Sequence, residues 1–209
     1  MPDFSHEQRL GQSNKCRVVG IDEAGRGPWA GPVVAAALWL NPETTPTDLL
    51  SQLNDSKKLS ALKREAIYTA LTGHSWAVFG VGHASVAEID CLNILQASLL
   101  AMSRAVTNLP FTPQKALVDG NKLPRLLCPA ESVIKGDSAS FSIAGASIIA
   151  KVTRDRIMSE LAQDHPEYAW EKNQGYGTAH HQEAIKQVGI TPHHRRSFRP
   201  IRDTLASQA

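Results

Sequence analysis

The stretch that most constrains this chain is "VVGIDEAGRGPWAGPVVAAALWL", Val18 to Leu40. It begins and ends as a short, β-branched or apolar run of the kind that forms buried strands. Between the two runs stand adjacent carboxylates, Asp22 and Glu23, and an arginine held between glycines, Gly25-Arg26-Gly27. A plain β-hairpin has no use for two acids at the end of an apolar strand. Neighbouring strand residues point to opposite faces, so the pair can converge only if the strand breaks at Glu23, and the two glycines allow such a break.

The acid-after-strand pattern recurs. "KALVDG" ends in Asp119 and "ESVIKGD" in Asp137, so three of the expected strands finish in acid at a sheet rim, where ligand sites gather in α/β proteins. Asp119 alone is better read as a turn residue, since Asp-Gly is a common β-turn signature. Taken together, the carboxylates suit a hard divalent cation such as Mg²⁺ or Mn²⁺. No histidine or cysteine clusters with them, which argues against zinc, and Cys16, Cys91 and Cys128 are too scattered for a metal knuckle or a disulfide framework.

The remaining pattern is α/β. A third strand is expected in "SWAVFGVGHA", and a helix in "LSALKREAIYTALTGH" with Ser60 as N-cap and Leu62, Ala66, Ala70 and Leu71 on one face. Ser85 with Glu88 forms a capping box that opens one long helix to about Leu109. Ser138 to Gln163 and Thr178 to Val188 also read as helices. Trp39, Trp76 and Phe79 are expected in the core, while Trp170 beside Tyr168 stays open between core and surface. Residues 1–16 are a polar, loosely ordered segment, and 17–209 form a single domain whose helical C-terminal portion begins near 165. With 42% hydrophobic and 20% charged residues, the composition is that of a soluble globular protein. The first residues lack the apolar core of a signal peptide, and no apolar run nears membrane-spanning length, so no membrane partner and a cytoplasmic location are expected. A net charge of +2 is too mild to imply a polyanionic partner, so charge placement must decide.

The blocks "GIDEAGRGPWAGPVVAAA", "DSKKLS", "LVDGN", "IKGDSASFSIAGASIIAKVTRDR", "GYGTAHH" and "HHRRSF" occur in that order across residues 17–200. In this the chain resembles bacterial ribonuclease HII. Gly145 departs from the usual alanine-rich fourth block, which touches only local helix packing. The resemblance implies a ribonuclease H-like α/β fold, with a mixed five-stranded sheet flanked by helices and a small helical C-terminal portion. It implies an endonuclease that cuts the RNA strand of RNA–DNA hybrids and nicks 5′ to single ribonucleotides in duplex DNA. Mn²⁺ or Mg²⁺ would be the cofactor, and the products would carry 3′-OH and 5′-phosphate ends.

Carried over by motif position, Asp22, Glu23, Asp119 and Asp137 are the catalytic, metal-binding acids. Gly25, Arg26 and Gly27 would contact the ribose 2′-OH through their backbone, a job that suits glycine because no Cβ keeps the main chain away. Tyr176 would pack on the deoxyribose on the 3′ side. Lys57 is expected to contact phosphate. Lys151 is as well read as a snorkelling helix lysine as a phosphate or active-site contact. Arg195, in the basic run His193-His194-Arg195-Arg196, is expected to line the substrate groove. A monomer is expected, and a sliding-clamp partner is not readable from this sequence. Ribonuclease HIII is disfavoured because only about fifteen residues precede the first strand. A hybrid-binding protein without catalysis is disfavoured by the presence of all the acids. Another two-metal nuclease is disfavoured by the GRG loop and the "GYGT" block.

Overall fold

The computed structural model describes residues 1–13, 16–53 and 59–208. Its centre is a five-stranded sheet of β1 (Val18–Ala24), β2 (Val33–Leu40), β3 (Ala77–Ala84), β4 (Lys115–Asp119) and β5 (Ala130–Val133). The spatial order is β3-β2-β1-β4-β5. β1, β2 and β3 pair antiparallel, and β1, β4 and β5 pair parallel. The fold is the mixed α/β class expected from the sequence.

Side-chain alternation divides the core between the sheet's two faces. Val19 and Ile21 of β1, with Val33, Ala35, Ala37 and Trp39 of β2 and Val118 of β4, pack on one side against Ala97, Ala101 and Ala105 of helix α5 (Ile94–Thr107). Ala36, Leu38 and Leu40 face the other side, against helix α3 (Ala61–Thr72) and the long helix α6 (Phe141–Asp164). α6 presses so closely on β1 that a Cβ on Gly20 would sit 2.2 Å from the Ser142 carbonyl carbon. Glycine at position 20 is therefore what lets the start of α6 lie directly on the face of β1. At Gly145 a Cβ would meet Leu38 Cδ2 at 2.3 Å, so the glycine there lets a β2 leucine seat against the helix.

Several expectations are corrected. The long helix after Ser85 is two, α4 (Val86–Leu92) and α5, because Asn93 takes a positive φ of 71° and its side chain caps α5 by accepting from Leu95 N and Gln96 N. The capping box of Ser85 and Glu88 is present at the start of α4. α3 buries Ile67 and Leu71, while Leu62 and Ala66, expected on the inward face, are exposed. Trp76 precedes β3 instead of lying in it, and stacks on His74. Trp170 is fully buried.

The N-terminal segment is also not loose where it is described. Helix α1 (Ser5–Arg9) buries Glu7 against the N-terminus of α6. Glu7 Oε1 accepts from Ser140 Oγ at 2.6 Å, Ser142 Oγ at 2.6 Å and Ser142 N at 3.0 Å. A carboxylate suits that place because helix N-termini present unpaired N–H groups and a partial positive charge. The C-terminal portion, with helices α7 (Trp170–Asn173), α8 (Ala179–Val188) and α9 (Arg199–Gln208), has a core of its own around Tyr168, Trp170, Met158, Ile185 and Ile201.

Removing the brace should be measurable. Glu7→Ala leaves three donors without their acceptor and should cost about 1–3 kcal/mol in urea unfolding. A loss below about 0.5 kcal/mol, typical of a surface change, would contradict the brace.

Candidate active site

The acids meet, but not by the route the sequence suggested. β1 does not break at Glu23; it stays paired with β2 through Ala24↔Val34. Its pairing with β4 stops earlier, at Ile21↔Val118, and one further step in that parallel register sets Asp22 beside Asp119. Asp22 and Asp119 lie on the α6 side of the sheet. Glu23, one residue on, points to the α5 side, where it borders a hollow with Leu95, Leu99, Met102 and Asp119. The strand end is thus a rim that acids approach from both faces.

Asp137 does not end a strand either. β5 stops at Val133, Lys135 turns the chain at φ 56°, and Asp137 lies in a single 3₁₀ turn, Gly136–Ser138, just before α6. This turn is tied to β4: Gly136 N donates to Asp119 Oδ1 at 2.7 Å. Asp22, Glu23, Asp119 and Asp137 then line one cleft of about 580 Å³ together with Gly25, Arg26, Gly27, Lys151 and Tyr176. A separate hollow of about 520 Å³, bounded by Phe111, Leu126, Leu127 and Cys128, is lined by no acid.

Charge in the cleft is strained. Burial, then the carboxylates of Glu23, Asp119 and Asp137, hold the Asp22 carboxyl well above its ordinary range, against a hydrogen bond from Glu23 N at 2.7 Å. Burial also raises Glu23, opposed by Arg26, whose Nη1 lies 3.2 Å from Glu23 Oε1. Glu23 Oε2 is buried without a hydrogen-bond partner. Like charges packed this way, with an orphaned oxygen among them, fit a hard divalent cation. Among the described residues no three His, Cys, Asp or Glu side chains form a finished cage. Mg²⁺-type sites take only part of their ligands from carboxylates and fill the rest with waters and substrate phosphates.

The loop that carries GRG and lines the cleft with the acids is held through its carbonyls by two arginines. Arg154 of α6 is buried and gives all its bonds to backbone carbonyls: Nε to Pro32, Nη1 to Gln174 and Nη2 to Ala30, each 3.0 Å. Arg195 is likewise buried, and the expectation that it lines the groove is corrected. It donates from Nη2 to the Gly25 carbonyl at 2.6 Å and from Nη1 to that of Arg26 at 3.1 Å, with Nε on Gly31 at 2.9 Å. A charge taken from water needs every donor satisfied, and the carbonyls of a turning loop provide this. Burial lowers Arg154 to about 10, and burial then Arg154's charge lowers Arg195 to about 9, so both remain cations at neutral pH. Gly25, at φ 98°, has room for no side chain: its Cβ would fall 2.0 Å from Arg154 Nε.

Lys151, also on α6, pairs with Asp155 at 2.6 Å at the cleft edge. Tyr176 is half-exposed, and its ring edge lies against the GRG loop, with Cε1 3.3 Å from where a Gly27 Cβ would be. Lys57 lies outside the described residues. Sequence reasoning missed Arg64, which also lines the cleft, and Arg154. Arg154 had a signal: it continues the buried α6 row of Ser147, Ala150, Met158 and Ala162, where an arginine demands partners.

The model of the family "Ribonuclease HII" matches residues 19–201. The "Ribonuclease HII" of Rhodospirillum rubrum is 54% identical over 209 residues, covering 100% of this chain and 94% of that protein. That of Gluconobacter oxydans is also 54% identical, covering 100% and 99%. Among solved structures, the ribonuclease H2 of Pyrococcus horikoshii superposes with a TM-score of 0.71 at 27% identity, covering 91% of this chain and 98% of the other. Bst-RNase HIII in complex with Mn²⁺ reaches a TM-score of 0.77 over 99% and 74%, and at 19% identity shows shared fold alone.

The carboxylate strain has a measurable sign. Asp22 is raised above its ordinary 3.8, so its burial is tolerated best below that value and opposes folding as pH rises through the shifted one. Metal-free Asp22→Asn should therefore melt higher than the parent at pH 7, with the gain vanishing below about pH 4. A variant less stable at both pH values would contradict the repulsion.

Proposed function

The chain belongs to the ribonuclease HII family, and from that premise we propose that it cuts the RNA strand of RNA–DNA hybrids and nicks duplex DNA 5′ to a single embedded ribonucleotide. The observation that carries this reading is the convergence of Asp22, Glu23, Asp119 and Asp137 on a cleft that the GRG loop also lines. Acids alone would serve many nucleases. Acids facing a backbone-lined loop suit one that inspects a sugar hydroxyl, the group by which RNA differs from DNA.

Asp22, Glu23, Asp119 and Asp137 are the residues that would hold Mn²⁺ or Mg²⁺. Bound there, such an ion would supply charge neutralisation for the phosphate and a lowered pKa for water, and the expected products carry 3′-OH and 5′-phosphate ends. The chain's own part is positioning. Arg26 and Lys151 put positive charge at the cleft wall, where phosphates of the duplex would run. Gly25 and Gly27 bring backbone groups within reach of the 2′-OH; Arg195 holds the Gly25 and Arg26 carbonyls, and Arg154 holds those of Ala30 and Pro32 farther along the loop. Tyr176 packs on the 3′ deoxyribose, where an extra hydroxyl would clash, so that the loop and the ring together read an RNA-to-DNA junction. Arg195 thus moves from substrate contact to support of the loop, and Lys57 keeps its assignment as a phosphate contact.

No helix among the described residues is long and apolar enough to cross a membrane. A protein partner of the kind named in the PCNA:RNase HII complex of Archaeoglobus fulgidus, matched at a TM-score of 0.65 and 24% identity, rests on fold likeness alone.

The test is a DNA duplex with one ribonucleotide, incubated with Mn²⁺ or Mg²⁺ and with chelator. The expected product is a single nick 5′ to the ribonucleotide, abolished by chelator. An intact duplex alongside degraded all-DNA control would overturn the reading. Asp22→Asn should lose cleavage while retaining hybrid binding; loss of binding and fold together would make the acid structural.

A further inference from the structure

Behind Tyr176 two buried histidines touch. His181 of α8 and His194 of the C-terminal segment are fully buried, with their Nε2 atoms 3.0 Å apart. One Nε2 must carry a proton and the other a lone pair, and the surroundings decide which. Thr191 N, which can only donate, lies 3.0 Å from His194 Nδ1. His194 Nδ1 therefore accepts, and its proton is on Nε2. Trp170 Nε1, which also can only donate, lies 3.3 Å from His181 Nε2. His181 Nε2 accepts, and its proton is on Nδ1, 2.9 Å from the Tyr176 carbonyl. All donors then run one way: Thr191 N–H to His194, His194 to His181, and His181 to the backbone of Tyr176.

We propose that His194 and His181 are positioning residues for substrate discrimination: their ordered hydrogen-bond chain fixes the backbone of Tyr176 and so aims its exposed ring at the 3′ sugar. This rests on the role assigned to Tyr176 above. The chain runs through neutral imidazoles. Burial, then the charge of His181, lowers His194 to about 3, and burial also lowers His181. The rings are packed on every side: Tyr168 lies 4.9 Å and Trp170 5.4 Å from His194, and Trp29 lies 5.9 Å from His181. The Tyr176 carbonyl also accepts from Thr178 N at 2.8 Å, and Tyr176 N donates to Asn173 O at 2.9 Å. The Gln174 carbonyl, two residues earlier, is held by Arg154. An exposed ring is thereby mounted on a backbone tied on each side.

His194 also couples this ring to the GRG loop. Its chain neighbour Arg195 holds the Gly25 and Arg26 carbonyls, and Arg195 N donates to Trp29 O at 2.8 Å. One buried dipeptide thus spans the two elements whose spacing decides which junction fits.

The experiment compares kcat/KM for the one-ribonucleotide duplex with that for a uniform hybrid, in Mn²⁺. His194→Phe keeps the ring's bulk but donates nothing, and should lower that ratio roughly tenfold or more, since small misplacements carry such costs. His194→Gln, whose amide N–H reaches the Nε2 position, should restore most of it. His181→Asn, which keeps a donor at the Nδ1 position, should outperform His181→Gln. Adding His194→Phe to Tyr176→Ala should change the ratio no further, because both remove one effect. If Tyr176→Ala lowers the ratio while the folded histidine variants leave it unchanged, the relay is only structural and the proposal fails. If His194→Phe does not fold, the Gln and Asn variants decide by the same ratio. If Tyr176→Ala itself leaves the ratio unaltered, the role assigned to Tyr176 falls, and this inference with it.

Discussion

The site depends on two cations that never reach solvent. A loop of Gly25, Arg26, Gly27 and Gly31 has little shape of its own, because glycine permits many backbone conformations and loses more freedom than other residues on folding. Arg154 and Arg195 confer that shape by donating into the carbonyls of Gly25, Arg26, Ala30, Gly31 and Pro32. The dependence is mutual. Without those carbonyls each guanidinium would be a buried, unsatisfied charge, and breaking such an arrangement costs about 3–5 kcal/mol. Arg154 comes from α6 and Arg195 from the C-terminal segment, so a loop between two strands is held by chain more than a hundred residues away.

Across the cleft the balance is reversed. The acids are packed so that Asp22 and Glu23 are less comfortable ionised than they would be in water. The fold tolerates this because β1, β4 and the α6 N-terminus are anchored independently: by pairing in the sheet, by the contact at Gly20, and by Glu7 beneath Ser140 and Ser142. One wall is over-determined so that the other can stay frustrated. A divalent cation and a polyanionic backbone are the pair of ligands that relieve such a wall together.

Much of this was legible in the residues. Strands bounded by glycine and proline, the Ser85–Glu88 capping box and acids after apolar runs gave an α/β sheet with a charged rim. What periodicity could not supply was register. Whether Asp22 and Asp119 meet depends on the register of β4 alongside β1, a non-local pairing that no local pattern encodes. Asp137 does not end a strand as expected, because Lys135 adopts a left-handed turn that β-propensity does not foresee. Arg195 misled for a related reason: a run of His and Arg reads as a solvated face, yet His194 and Arg195 are buried while Arg196 is exposed. The Asn93 break and the burial of Glu7 arise the same way, from tertiary contacts satisfied by side chains whose local preference is loop or surface.

The central claim is that buried guanidiniums, not the loop's own sequence, hold the GRG backbone in place, and amide hydrogen exchange tests it directly. In Arg195→Lys, a compact ammonium cannot span the same set of carbonyls. Exchange at residues 25–32 should accelerate roughly tenfold or more while the strands β1, β2 and β4 keep their protection. Unchanged protection of that loop in a folded variant would contradict the account.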